Sequence, residues 1–205
     1  MVAHRFVAVV GARVVPEAWA FQVAAVVRCF LERGWGVGSG GAQGADQYAL
    51  EAVVAAGAPA CARSVVFLPG PLAAAPGSAL GTFAALGGRV VPGAGAGRAA
   101  LLARSGRLAR ASSGVVAFLW GPSRGSVFTV REAIRAGKPA AVVLAGGGAK
   151  LPRFSGGRWV PCSIGPVAVF RWVAEASKRT GRARRRPGGA ALRPRSDLAR
   201  GGGRG

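Results

Sequence analysis

Three times along this chain a short hydrophobic segment runs straight into a glycine-bearing turn and then into a helical pattern. Residues 5–10 (RFVAVV) end at Gly11, residues 35–39 enter a loop holding Gly38, Gly40, Gly41 and Gly44, and residues 113–120 (SGVVAFLW) enter the turn 121–126. A compact apolar run that stops at glycine reads as a strand buried on both faces. Each is followed by a stretch with helical spacing. Residues 16–33 carry Val23, Val26, Val27, Phe30 and Leu31 at three-to-four intervals, which gives one apolar face. Helices are also expected over 45–56, 78–86, 98–110 and 127–136, and strands over 63–68, 89–92 and 139–144. Residues 158–161 read as an extra strand and 165–177 as a terminal helix. Strand and helix alternate, so the fold class is α/β: an open Rossmann-like, mostly parallel sheet with helices on both faces. Ligands of such sheets sit at the carboxyl ends of the strands, and the three glycine turns all fall there, making one cleft.

The stretch 34–57 (GWGVGSGGAQGADQYALEAVVAAG) carries the most chemistry. Glycines let a backbone approach a ligand closely, and a helix starting directly behind them presents free N–H groups and the positive end of its dipole. That is an anion site, most often for phosphate. Ser39, Gly40, Gly41, Gln43 and Gly44 are its candidate contacts. Asp46, in the first helical turn, either complements the dipole or holds a ribose hydroxyl. The loop is neither a dinucleotide fingerprint, which belongs after the first strand, nor a Walker A loop, because no Gly-Lys-Ser/Thr occurs.

Charge narrows the ligand class. There are 28 Lys+Arg against 7 Asp+Glu, a net charge of +21. Such a balance points to a polyanion, nucleic acid before any membrane surface. Residues 178–205 hold ten basic residues and one acid; subtracting that +9 from +21 leaves +12 on residues 1–177. The chain therefore divides into a folded domain, 1–177, and an arginine-rich tail, 178–205, too poor in apolar residues to offset its ordering entropy. Tail residues Arg182, Arg184, Arg185 and Arg186 are expected to add sequence-independent phosphate contacts.

Other chemistry is thin. The three cysteines, Cys29, Cys61 and Cys162, are widely spaced and the single histidine is His4, so neither a disulfide framework nor a metal site is expected. No catalytic residue is assigned. No apolar run is long enough for a membrane span, and the expected location is cytoplasmic. Of five tryptophans, Trp19, Trp35, Trp159 and Trp172 read as core, whereas Trp120 stands at a strand end beside the second glycine turn as a candidate ligand or base contact.

Taken together, four segments resemble the DNA-processing protein A family. Gly11-Ala12-Arg13 is similar to its Gly-Ser-Arg turn, and residues 38–46 (GSGGAQGAD) to its SGxAxGxD loop. Residues 103–112 (ARSGRLARAS) resemble its RNRxIAxLS helix, with Ser105-Gly106 in place of the asparagine. Residues 124–133 (RGSVFTVREA), with Gly137-Lys138-Pro139, resemble its SGSLxTAxxAxxxGxxV segment. The resemblance covers residues 5–145 and implies an extended Rossmann-like domain of the lonely-guy and SLOG superfamily that binds single-stranded DNA. The resemblance implies contacts from Arg13, the 39–44 loop, Arg104, Arg107 and Ser126, to which Gly11, Asp46, Trp120, Ser123, Arg124, Gly125 and Thr129 are added as candidates beside the glycine turns. It also implies self-association. Two further readings use the same loops. One is a domain that senses a free nucleotide or ADP-ribose-type ligand, with a nucleotide as the candidate cofactor. The other is a phosphoribohydrolase, whose PGGxGTxxE motif is absent here and whose carboxylate Glu132 does not match in position.

Overall fold

The computed structural model describes residues 5–71 and 77–175; His4 and the tail arginines Arg182, Arg184, Arg185 and Arg186 lie outside the described residues. Six strands run parallel: β1 (Phe6–Gly11), β2 (Gly36–Ser39), β3 (Val65–Phe67), β4 (Arg89–Val91), β5 (Val115–Leu119) and β6 (Ala140–Leu144). Two more, β7 (Gly157–Ile164) and β8 (Val167–Ala174), form an antiparallel hairpin whose β8 joins β6. The sheet order is β4-β3-β2-β1-β5-β6-β8-β7. After β1 the chain steps outward to β4, then returns to lay β5 on the other side of β1. The seam between β1 and β5 is thus the point where strand order reverses.

Helices α1 (Ala20–Glu32), α2 (Ala45–Ala55), α3 (Ala58–Arg63), α4 (Ala79–Ala85), α5 (Gly97–Ala111) and α6 (Arg124–Arg135) connect the strands, with a 3-10 turn at Glu17–Trp19. Alternation along β1 explains why both faces need covering. Val7 and Val9 point into one core with Val23, Val26 and Val27 of α1 and Ala49, Leu50 and Val53 of α2. Phe6, Ala8 and Val10 point into the other with Leu108 of α5 and Val130 and Ala133 of α6. Successive side chains of a strand face opposite ways, so a strand apolar throughout must lie between two layers.

The expected α/β sheet with helices on both faces is therefore present. One expected element is not. Residues 165–177, read as a terminal helix, form β8 instead. The reason is local. Gly165 takes a left-handed φ of +55° and turns the chain within two residues, so Val167 falls opposite Ile164. The segment Val167–Ala174 is rich in β-branched and aromatic residues, and Trp172 lies across from Trp159 with ring centroids 5.2 Å apart. Strand β7 extends past the expected 158–161 and carries Pro161, a residue without an N–H, on the outer strand of the sheet. Helix α3 is an addition to the expected elements. Helix α6 begins at Arg124 rather than 127, so much of the second glycine turn is the helix's own first turn.

Candidate functional site: an arginine-lined cavity at the sheet seam

A cavity of about 860 Å³ opens where the segments after β1 and β5 leave the sheet. The segment after β1 contributes Gly11 to Val14; the segment after β5 contributes Trp120 to Ser126. Helix α5 supplies Arg98, Arg104 and Ser105, and α6 supplies Phe128, Thr129 and Arg131. Placement at the seam follows from topology, because the segments leaving β1 and β5 turn to opposite faces and part there.

The two glycine-rich turns are built differently. In the first, an anion is already in place: the carboxylate of Asp46. It is 3% exposed and accepts hydrogen bonds from the N–H groups of Gly11 and Gly40, both at 3.0 Å. Ser39 closes the turn, its hydroxyl donating to the Asp46 carbonyl at 3.0 Å and accepting from Gly41 N–H at 3.2 Å. Arg104 of α5 then approaches, with Nη1 3.4 Å from Asp46 Oδ2. Gly40 is required for that approach, since a Cβ there would lie 1.2 Å from Arg104 Nη1. The glycine admits an internal guanidinium.

Burial pushes the Asp46 carboxyl above its ordinary range; Arg104 and the amides of Gly11, Gly40 and Ala42 oppose that shift. Arg104 is 7% exposed, and its buried Nε has no hydrogen-bond partner. A buried guanidinium with an idle donor on a cavity wall is chemically unfinished.

In the second turn no side chain fills the corresponding place. Ser123 precedes α6 but makes no capping bond to it; its hydroxyl lies 3.3 Å from Trp120 N–H, which donates to it, and 3.0 Å from the Trp120 carbonyl. The first turn of α6 holds Arg124, Gly125 and Ser126, with no acidic residue. Thr129 donates to the Gly125 carbonyl at 3.1 Å. The helix therefore presents uncapped N–H groups toward the cavity, with arginine beside them.

Around the cavity stand five arginines, Arg13, Arg98, Arg104, Arg124 and Arg131, against one carboxylate, Asp46. Arg13, Arg98, Arg124 and Arg131 are exposed, and none forms an ion pair with a described residue. Arg131 lies over the Phe128 ring at 5.4 Å. The cavity wall is thus positive by four charges, in a concave setting that concentrates the field.

Of the residues expected from sequence, Gly11, Arg13, Asp46, Arg104, Trp120, Ser123, Arg124, Gly125, Ser126 and Thr129 meet at this cavity. Ser39, Gly40, Gly41, Gln43 and Gly44 do not line it; their turn is folded around Asp46. Arg107 does not line it either. Its guanidinium donates to the carbonyls of Pro92 at 3.0 Å and Leu68 at 2.9 Å, and lies 5.8 Å from the Phe67 ring centroid. It ties the ends of β3 and β4 to α5. Sequence reasoning missed Arg98, Phe128, Arg131 and Gly147. Arg131 was within reach, since it falls on the same helix as Arg124 two turns on. Among the described residues there is no cluster suited to a metal ion, and no helix is long and apolar enough to cross a membrane.

No protein-family model and no curated protein sequence matches the chain. Solved structures do. DNA-processing protein A from Helicobacter pylori, described with a single-stranded DNA binding mode, superposes with a TM-score of 0.56 at 20% identity over 69% of this chain and 66% of that one. DNA-processing protein A from Streptococcus pneumoniae gives 0.56 at 23% over 69% of this chain and 50% of that one. A molybdenum cofactor binding protein from Rippkaea orientalis gives 0.53 at 18%, covering 70% and 78%. The match thus spans less than two thirds of either DNA-processing protein A. In its sheet and connecting helices the chain has a Rossmann-like fold of the DNA-processing protein A type.

Proposed function

We propose that this cavity binds the phosphate backbone of single-stranded DNA. The observation that carries the reading is the wall itself: five arginines against one internally paired carboxylate, beside an uncapped helix N-terminus. Phosphate oxygens are the ligand that takes both charge and N–H donors at such a place. Arg13, Arg98, Arg124 and Arg131 neutralise the backbone, while Arg104 keeps Asp46 paired. The net charge of +21 supports a polyanion rather than a single small anion.

The test is a titration of the full chain with a labelled oligo-dT at about 50 and about 200 mM salt. Four arginine–phosphate contacts at a slope of about 0.7 each give a loss of roughly 50-fold across that range. Replacing Arg13, Arg98, Arg124 and Arg131 together by alanine should remove most of the affinity. Unchanged binding by that variant would place the interaction elsewhere and overturn the reading.

A free nucleotide is the second reading, favoured by one observation. The cavity volume of about 860 Å³ falls in the range of small-molecule sites. Calorimetry with a nucleotide panel separates the two. Tight binding of one nucleotide with weak oligonucleotide binding selects the second.

A further inference from the structure

Trp120 is built unlike the other cavity residues. Its indole is half-buried and lines the cavity at the end of β5. Behind it runs the strap that follows β6, where Gly146, Gly147 and Gly148 take φ of +109°, +61° and +74°. A Cβ on Gly146 would come within 2.7 Å of the six-membered ring, and one on Gly147 within 2.8 Å of the indole nitrogen. The strap therefore lies against both rings of the indole and fixes it. Two hydrogen bonds hold the strap to the β5 end, Ala145 N–H to the Leu119 carbonyl at 2.8 Å and Gly121 N–H to the Gly146 carbonyl at 3.2 Å. Trp120 also packs against the core on the α1 and α2 side of the sheet, as Trp159 does on the other, but Trp159 is finished differently. Trp159 packs on Phe154 and Trp172 and donates to the Pro152 carbonyl at 2.7 Å. Trp120 has neither an aromatic neighbour nor a hydrogen bond from its ring among the described residues.

A large, rigidly backed aromatic surface left facing a cavity is a stacking platform. Three residues on, the Ser123–Trp120 bonds deliver the chain into the first turn of α6. The aromatic surface and the free helix N–H groups are thus adjacent. We propose that Trp120 stacks on the nucleobase of one nucleotide unit whose phosphate lies at the α6 N-terminus, so that the cavity takes a base as well as a backbone. This rests on the phosphate reading above and adds a requirement that charge alone does not impose.

The experiment compares two oligonucleotides of equal length and phosphate count, one of thymidine and one of abasic tetrahydrofuran units, on the full chain. The thymidine strand should bind about tenfold tighter. Trp120→Leu should erase that preference, and Trp120→Phe should keep part of it. A circular-dichroism melt confirms that each variant is folded. Equal affinity of wild type for both strands overturns the stacking inference and leaves the phosphate reading standing. Failure of wild type to bind either strand overturns both. A preference that survives in folded Trp120→Leu overturns the role of Trp120 alone.

Discussion

The two glycine-rich turns of this chain look alike as text and do opposite things in the fold. Both follow a strand and open a helix. The turn before α2 carries its own anion: Asp46 accepts from Gly11 and Gly40 and is braced by Arg104. The turn before α6 has no acid in its first helical turn and no capping side chain. The lesson is that whether such a turn is open to an outside anion depends on what is missing from it. Where an acid follows one or two residues into the helix, the N–H groups have an owner.

Breaking the first turn should cost the most. Asp46→Ala leaves a buried guanidinium and two amides without acceptors, a loss of about 3–5 kcal/mol of stability measurable by urea unfolding. Asp46→Asn keeps the shape and one acceptor and should lose less. The pH dependence has a definite sign. Burial holds the Asp46 pKa above 3.8, so the native state keeps its proton longer than the unfolded chain does. Its contribution is full below 3.8 and fades as pH rises through the native pKa, a slope that Asp46→Asn should abolish.

Next comes Gly40→Ala, whose methyl group collides with Arg104 Nη1 and Asp46 Oδ2. A stability loss of about 2 kcal/mol is expected in the same assay. Arg107→Ala should cost about 1–2 kcal/mol through the lost bonds to Leu68 and Pro92, with binding of oligo-dT at the cavity nearly unchanged. The smallest effect on stability belongs to the second turn. Arg124→Ala should stay within about 0.5 kcal/mol of wild type, yet weaken oligonucleotide binding and lower the salt slope by about one contact. A destabilised Arg124→Ala, or an Asp46→Ala as stable as wild type, would erase the distinction between the turns.

Much of this was legible in the sequence, and the reasons are specific. Strands β1 and β5 are uninterrupted apolar runs ending in glycine, a pattern few other structures permit. The second turn is legible in the sequence as a glycine- and serine-bearing turn after a strand, and that no acid stands in it can be read there too. The first was misleading because Asp46 lies where either a cap or a ligand contact is found, and only the approach of Arg104 from 58 residues away decides between them. Arg104 and Arg107 share a helix three residues apart, yet one pairs with Asp46 and the other clamps β3 and β4. Residue spacing along α5 does not reveal which strand ends lie beside each guanidinium. Strand β8 was recoverable: Val167–Ala174 is a short run rich in valine and aromatic residues that follows the turn pair Gly165-Pro166.

The hairpin of β7 and β8 has a further consequence, for solubility. Without it, β6 with its sequence AAVVL would end the sheet as an apolar strand with one row of backbone groups unpaired. Such a border invites the same strand of another molecule to add on. With the hairpin in place, the outermost strand is β7, interrupted by Pro161 and carrying Arg158, and the opposite border is β4, three residues long. Both borders are poor templates for growth, so a chain truncated at residue 156 should precipitate where the longer chain stays dispersed.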